Sequence, residues 1–135
     1  QATGRASGNR VAVKCIDLGS LTAKERHQAS QEAYLLRRVK HPHIVRFFDC
    51  IVGAQQMHIV MQLMEGGDLA SVIRRCRDGG QRPMEASIWR WLLQMARALA
   101  YLHKISILHR DVKPANIFLS EDERTAVLGD LGIAK

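Results

Sequence analysis

Eight residues, His109-Arg110-Asp111-Val112-Lys113-Pro114-Ala115-Asn116, bring a carboxylate, an ammonium and a carboxamide into one polar stretch between apolar runs. Asp130-Leu131-Gly132 follows fourteen residues after Asn116, and Val11-Ala12-Val13-Lys14 lies near the other end of the chain. Side chains of these kinds can accept a proton, hold a hard cation through oxygen, or compensate the charge of anionic oxygens. Taken singly they say little. A lysine after a strand is ordinarily a solvated surface charge. An Asp or Asn in a polar loop is ordinarily a turn or cap. Their joint occurrence says more: at roughly 5% per residue type, the six fixed identities His109, Arg110, Asp111, Lys113, Pro114 and Asn116 coincide on the order of once in 10⁷ to 10⁸ windows.

The elements that must position these groups follow from patterning. Arg10 to Ile16 alternates as a strand and puts Ala12 and Lys14 on one side. Leu21 to Val39 reads as a helix that opens with a Thr22/Glu25 capping box and ends before His41-Pro42. Ile44 to Val52 and Met57 to Leu63 are apolar runs joined by a turn containing Gly53, so a hairpin is expected. Glu65-Gly66-Gly67 reads as a flexible joint and as the best internal boundary. Asp68 caps a short helix, Leu69 to Arg77, with Leu69, Val72, Ile73 and Cys76 on one face, and Gly79-Gly80 ends it. Ser87 to His103 is the strongest helix: Ile88, Trp91, Leu92, Met95, Leu99 and Leu102 recur at three- and four-residue steps. Short strands are expected at Ile105–Leu108, Asn116–Leu119 and Thr125–Leu128.

Composition narrows the function classes. The 135 residues suit one modest domain or parts of two lobes, and 47% apolar content excludes wholesale disorder. No apolar run is long enough to span a membrane. The start, Gln1-Ala2-Thr3-Gly4-Arg5, shows neither an initiator Met nor a signal-peptide pattern and reads as part of a longer chain. Cys15, Cys50 and Cys76 are odd in number and fit no CxxC pattern, which points to a reducing compartment. The net charge of +7 is spread along the chain, apart from Arg37-Arg38 and Arg74-Arg75-Cys76-Arg77, and only seven aromatic residues are present. Nucleic-acid binding is therefore not expected as the main function. His41, His43, His103 and His109 show no metal-ligand spacing.

The polar loop matches the protein-kinase catalytic loop, H-R-D-x-x-x-x-N. Asp130-Leu131-Gly132 resembles the D-F-G motif, and Val11-Ala12-Val13-Lys14 resembles the V-A-I-K strand, in kinase order. Over nearly all of its length the chain resembles a eukaryotic-type protein kinase. The resemblance implies an α+β, two-lobed fold in truncated form. Residues 1–65 would be a partial N-lobe and hinge: an antiparallel sheet with one helix. Residues 66–135 would be the first helices and catalytic-loop hairpin strands of the C-lobe, ending just after Asp130-Leu131-Gly132.

The same resemblance implies roles. Lys14 would hold the α- and β-phosphates of ATP, Asp130 and Asn116 the Mg²⁺ or Mn²⁺ ions, and Asp111 would accept the proton of a substrate hydroxyl, with Lys113 beside the transferred phosphate. Glu32 shares a helical stripe with Ala29, Leu36 and Val39. A carboxylate there is costly unless paired, and Lys14 is the implied partner; otherwise Glu32 reaches solvent at the stripe's edge. Ala12 looks like the adenine ceiling, Phe118 the floor, Met61 the gatekeeper and Gln62-Leu63-Met64 the hinge, while Asp68 could hold the ribose. Leu36, Phe47, His109 and Leu131 resemble the spine of an assembled kinase, which makes His109 structural rather than catalytic.

Lys113 within the loop resembles Ser/Thr kinases, so the implied substrates are protein serines and threonines. Asn116-Ile117-Phe118-Leu119, Leu128-Gly129-Asp130 and Gly132-Ile133-Ala134-Lys135 resemble the NIMA-related kinases, as does the stretch ending Glu65-Gly66-Gly67-Asp68-Leu69. A cytoplasmic, nuclear or cytoskeletal setting is implied, with no membrane partner. The chain departs from the pattern at Leu131, where Phe is usual. It also departs before Val11, where Gly4 and Gly8 do not reproduce the Gly-rich loop and read as a strand end and a turn. The activation loop and A-P-E segment are not in this sequence, so these residues alone are expected to be inactive. The competing expectation is a truncated or non-catalytic module that binds nucleotide or partners; a small-molecule kinase is disfavoured by Lys113-Pro114.

Overall fold

The computed structural model describes residues 10–80 and 82–130, leaving aside the side chains of Gln28, Ala29, Glu32, Ala33, Leu35 and Leu36. Gly4, Gly8 and residues 131–135 lie outside it. The first strand, β1 (Val11–Asp17), runs antiparallel to β3 (Gln56–Gln62), which also pairs with β2 (Phe47–Val52). The order β1-β3-β2 puts the hairpin's second strand in the middle of this sheet as described. β-Branched residues supply the pleat, and Met57 and Ile59 of β3 are fully enclosed. The Gly53 N–H closes the hairpin on the Gln56 carbonyl, 2.8 Å away.

Helix α1 (Ala23–Arg38) begins as its sequence dictates. Thr22 donates its backbone N–H to Glu25 Oε2 at 2.8 Å, and the Glu25 N–H returns to Thr22 Oγ1 at 3.4 Å. The chain then reaches His41-Pro42, where the helical phase cannot continue. The expected strand from Ile44 starts later, at Phe47. Residues 43–45 instead bind β6 (Ala126–Leu128): Val45 donates to the Leu128 carbonyl at 2.8 Å and Leu128 to that of His43 at 2.9 Å. His41 stacks on Tyr101, with ring centroids 5.1 Å apart.

The expected flexible joint at Glu65-Gly66-Gly67 is corrected. Gly67–Asp68 forms a short strand, β4, paired with β5 (Ile117–Leu119), and the Gly66 N–H binds the Leu119 carbonyl at 3.0 Å. A Cβ on Gly66 would stand 2.2 Å from the Ser120 carbonyl oxygen, so here glycine serves close approach rather than mobility. The sheet order is β4-β5-β6. Asp68 then caps α2 (Leu69–Asp78), accepting the Ser71 N–H at 2.8 Å.

Helix α3 (Glu85–Lys104) buries Trp91, Met95, Ala98 and Leu102 against β6. Each large side chain among them contributes roughly 1.5–3 kcal/mol of hydrophobic stabilisation. Polar stitches fix the angle: Trp91 Nε1 donates to the Glu123 carbonyl at 2.8 Å, and Gln94 Oε1 accepts the Ala126 N–H at 2.7 Å. The strand expected at Ile105–Leu108 does not form. Ile105 ends the helix by donating to the Tyr101 and Leu102 carbonyls, Ser106 takes φ 60°, and Ile107 donates back to Leu102. The segment instead closes the C-terminal end of α3, with Ile107 buried and Ile105 and Leu108 exposed.

Candidate active site

The loop after α3 is anchored by a buried imidazole. His109, only 2% exposed, places Nε2 2.9 Å from the Gly129 carbonyl. A carbonyl only accepts, so Nε2 carries the proton and Nδ1 accepts the Asp111 N–H at 3.3 Å. One ring thus ties the start of the loop to the residue before Asp130. A second tie runs from the Gly129 N–H to the Asn116 carbonyl, 2.9 Å. Gly129 also lets the Phe118 ring approach, since a Cβ there would meet it at 2.6 Å.

Within the loop three side chains converge. Pro114–Asn116 forms a single 3₁₀ turn that buries Asn116. Asn116 Nδ2 donates to the Asp111 carbonyl at 2.9 Å and to Asp111 Oδ2 at 2.8 Å. Lys113 Nζ lies 2.6 Å from the same Oδ2. The Lys113 hydrogen bond is the main reason the Asp111 carboxyl is held below the usual carboxylate range; partial desolvation opposes it and Asn116 reinforces it. Asp111 Oδ1 has no donor among the described residues.

Opposite this loop, β1 carries Lys14 across from Ile59 of β3. Its Nζ reaches Asp130 Oδ1 at 3.1 Å. Asp130 has φ 55° and Arg110 has φ 65°, left-handed conformations that cost on the order of 1–3 kcal/mol each and concentrate at functional sites. Lys14, Asp130, Asp111 and Asn116 are therefore linked in one hydrogen-bonded array through Gly129 and His109. Glu32 lies on α1, but its side chain and that of Leu36 are outside the described residues, as are Leu131 and Gly132.

Asn116 Oδ1 takes no donor among the described residues, and Asp130 presents a carboxylate that is half exposed. Two hard oxygens are a donor set that suits Mg²⁺ or Mn²⁺, with phosphate oxygens and water completing the shell. Among the described residues there is no cluster of three His, Cys, Asp or Glu, so these residues form no all-protein metal cage.

The residues expected around adenine are spread over both sheets and the connection between them. Ala12 stands opposite Met61 in the β1–β3 register, and Met61, Met64 and Phe118 pack as half-buried groups on the core. Leu63 is half-buried on the connection to β4. Gln62 turns its polar groups to the residue before β2: its N–H donates to the Arg46 carbonyl at 2.8 Å and its Oε1 accepts the Arg46 N–H at 3.4 Å. Asp68 is engaged as a cap, with its two oxygens on the Ser71 N–H and hydroxyl. Gly129 enters the sequence reading only within Leu128-Gly129-Asp130, as a family likeness, and that its two backbone groups hold the array together was not expected. Nor was the ion pair of Arg10 with Glu65 at 2.6 Å, for which a single sequence carries no signal.

A two-sheet α+β architecture with this array between the sheets defines a protein-kinase-type catalytic segment. The protein kinase domain family model matches residues 1–135, and the chain belongs to that family. It is 37% identical over 134 residues to human serine/threonine-protein kinase Nek5, covering 99% of this chain and 19% of that protein. It is 40% identical over 132 residues to mouse serine/threonine-protein kinase Nek4, covering 97% of this chain and 16% of the relative. Human serine/threonine-protein kinase Nek2 is 40% identical over 143 aligned positions, covering all of this chain and 32% of the relative. The resemblance to NIMA-related kinases thus holds, and the chain spans a third or less of these relatives.

Proposed function

We propose that the protein carrying this chain transfers the γ-phosphoryl group of ATP to serine or threonine hydroxyls of proteins, with a divalent Mg²⁺ or Mn²⁺. The observation that carries the reading is Asp111: two donors fix one carboxylate oxygen, and the other takes no donor among the described residues. In the proposed reaction the substrate hydroxyl oxygen attacks the γ-phosphorus and the bond to the β–γ bridging oxygen breaks. The hydroxyl proton passes to Asp111 Oδ1, and ADP leaves. Asp111, held ionised, orients and accepts; such base assistance supplies roughly 10²–10⁴-fold. Lys113 places a positive charge beside the transferred phosphoryl group. Lys14 takes the α- and β-phosphates, and Glu32 orients Lys14. Asn116 and Asp130 hold the metal, which when bound offsets the charge spread over the phosphate oxygens.

The nucleotide base would lie between Ala12 and Phe118, bounded by Met61 and met by the backbone of Gln62, Leu63 and Met64. Asp68 would reach a ribose hydroxyl only by sharing its capping oxygens. In this reading residues 1–65 and 66–135 act as the two sides of the cleft. The test is phosphotransfer by the full-length protein with ATP and Mg²⁺ on peptides that differ only in Ser, Thr or Tyr at the acceptor. Transfer to Ser or Thr, abolished in Lys14→Met, supports the reading. Nucleotide binding without transfer would replace it with a non-catalytic, nucleotide-binding module. The 135-residue chain alone is proposed not to turn over.

A further inference from the structure

A cleft between the end of α1 and the start of β2 adjoins the site described above only at Gln62, and none of its cationic residues belongs to that site. Its volume is about 630 Å³, within the roughly 300–1,000 Å³ of clefts that bind ligands. Arg37, Lys40 and Arg46 line it, with Val39, Phe47 and Phe48 as its apolar part. The cations come from the last turn of α1, the following loop and the residue before β2, so the fold brings them together. Among the described residues no acidic side chain lines the cleft, and no carboxylate pairs with these three. Elsewhere cations do find carboxylates, as Arg75 does in Glu123 at 2.8 Å.

Like charges sharing a cleft repel, and an anion entering it gains from all three at once. The Arg46 guanidinium lies 5.4 Å over the Phe48 ring. The guanidinium N–H groups take no acceptor among the described residues, which leaves them for two-pronged carboxylate recognition. Phe48 is 47% exposed, a large apolar surface beside the charge. The pairing of cations with an apolar floor selects a ligand that has both carboxylates and an apolar side chain. A nucleic acid would call for a basic track running on from the cleft. The other arginine cluster, Arg74-Arg75-Cys76-Arg77, lies on α2, which packs against β4 and β5.

We propose that this cleft docks an acidic linear segment of a partner protein. Its carboxylates engage Arg37, Lys40 and Arg46, and one apolar side chain rests on Phe47 and Phe48. The inference is separate from phosphotransfer. The test is a fluorescence-anisotropy titration of the full-length protein with a labelled Glu-rich peptide carrying one Leu and one Phe. Saturable binding is expected, weakened at least about tenfold in Arg37→Glu/Arg46→Glu. Replacing the peptide's Glu by Lys should restore affinity for that variant. Phe48→Ala and Arg46→Gln, both at exposed positions, should each weaken binding a few-fold if the double variant does not fold. Arg74→Glu/Arg77→Glu should change nothing, and phosphotransfer should be unaffected in the cleft variants. No saturable binding, an equal loss in the α2 variant, or tighter binding of a DNA duplex or of phosphatidylserine vesicles at the same salt would overturn the proposal.

Discussion

Lys14 Nζ stands 3.1 Å from Asp130 Oδ1, although 116 residues separate the two in sequence. Their side chains are 36% and 45% exposed, so this pair contributes at most about 1 kcal/mol to stability. An ammonium and a carboxylate gathered at so small a stabilising return fit a role in handling ions. Asp130 has φ 55°, which Asp or Asn tolerates better than Ala. The clean variant is therefore Asp130→Asn. Denaturant titration should find it within about 1 kcal/mol of wild type. Phosphotransfer by the full-length protein should drop by about 10³-fold or more. An unchanged rate would remove Asp130 from the machinery.

The Asp111 carboxyl is held low chiefly by Lys113. A depressed folded-state pKa keeps the carboxylate ionised above the ordinary carboxylate range, and function is lost only as pH falls through the depressed value. Removing the Lys113 ammonium raises that pKa. Lys113→Ala should therefore move the acid limb of the kcat profile to higher pH. Asp111→Asn should lower kcat by about 10²–10⁴-fold while leaving the Kd for ATP nearly unchanged. A large loss of ATP affinity in Asp111→Asn would assign the residue to structure instead.

What patterning could and could not convey follows from which forces are local. Helix α3 was readable because Trp91, Met95 and Leu102 recur with the helical period, which needs no knowledge of the partner. Ile88 and Leu92, expected on the same stripe, are exposed, and Ala98, which was not expected there, is buried. The Thr22–Glu25 and Asp68–Ser71 caps are likewise local. Ile105–Leu108 misled because a short apolar run does not say whether a strand lies alongside it. Gly66 misled because its reason is the Ser120 carbonyl 54 residues away. The loop's chemistry was legible as a motif. The cleft beside Arg46 was not, since its three cations meet only through tertiary structure.

His109 should act by position. Its ring satisfies the Gly129 carbonyl and the Asp111 N–H from a buried site. His109→Leu leaves both without that partner and should cost about 1–3 kcal/mol for each group that stays dry. His109→Gln, whose Nε2 can still donate to Gly129, should recover part of the loss. Equal stability of the two variants in a denaturant titration would count against this account.

The adjacent glycines 66 and 67 separate two causes of glycine preference. Gly66→Ala places a methyl 2.2 Å from a backbone oxygen, whereas Gly67 has φ 75° and open space where a methyl would stand. Gly67→Ala should cost about 1–2 kcal/mol, for the left-handed backbone alone. Gly66→Ala must displace the β4–β5 pairing and should cost more, about 3 kcal/mol or above. Urea midpoints of the two variants provide the comparison, and the reverse order would refute the close-approach reading of Gly66.

Helix α3 shows a second apolar face to solvent. Trp89, Leu92 and Leu93 are 62%, 56% and 53% exposed, with Ile88 beside them. Together they form a contiguous apolar surface of a kind that drives association when uncovered. The 135-residue chain by itself should therefore self-associate in a concentration-dependent way, visible as light scattering. Leu92→Glu/Leu93→Glu places charges on that face while sparing the buried side of the helix, and should suppress the scattering without lowering helix content. The Trp91→Ala variant strikes the opposite face, which includes the Glu123 hydrogen bond. It should unfold the chain and worsen aggregation, with a cost of about 3–5 kcal/mol. If both variants scattered alike, the exposed face would not be the cause.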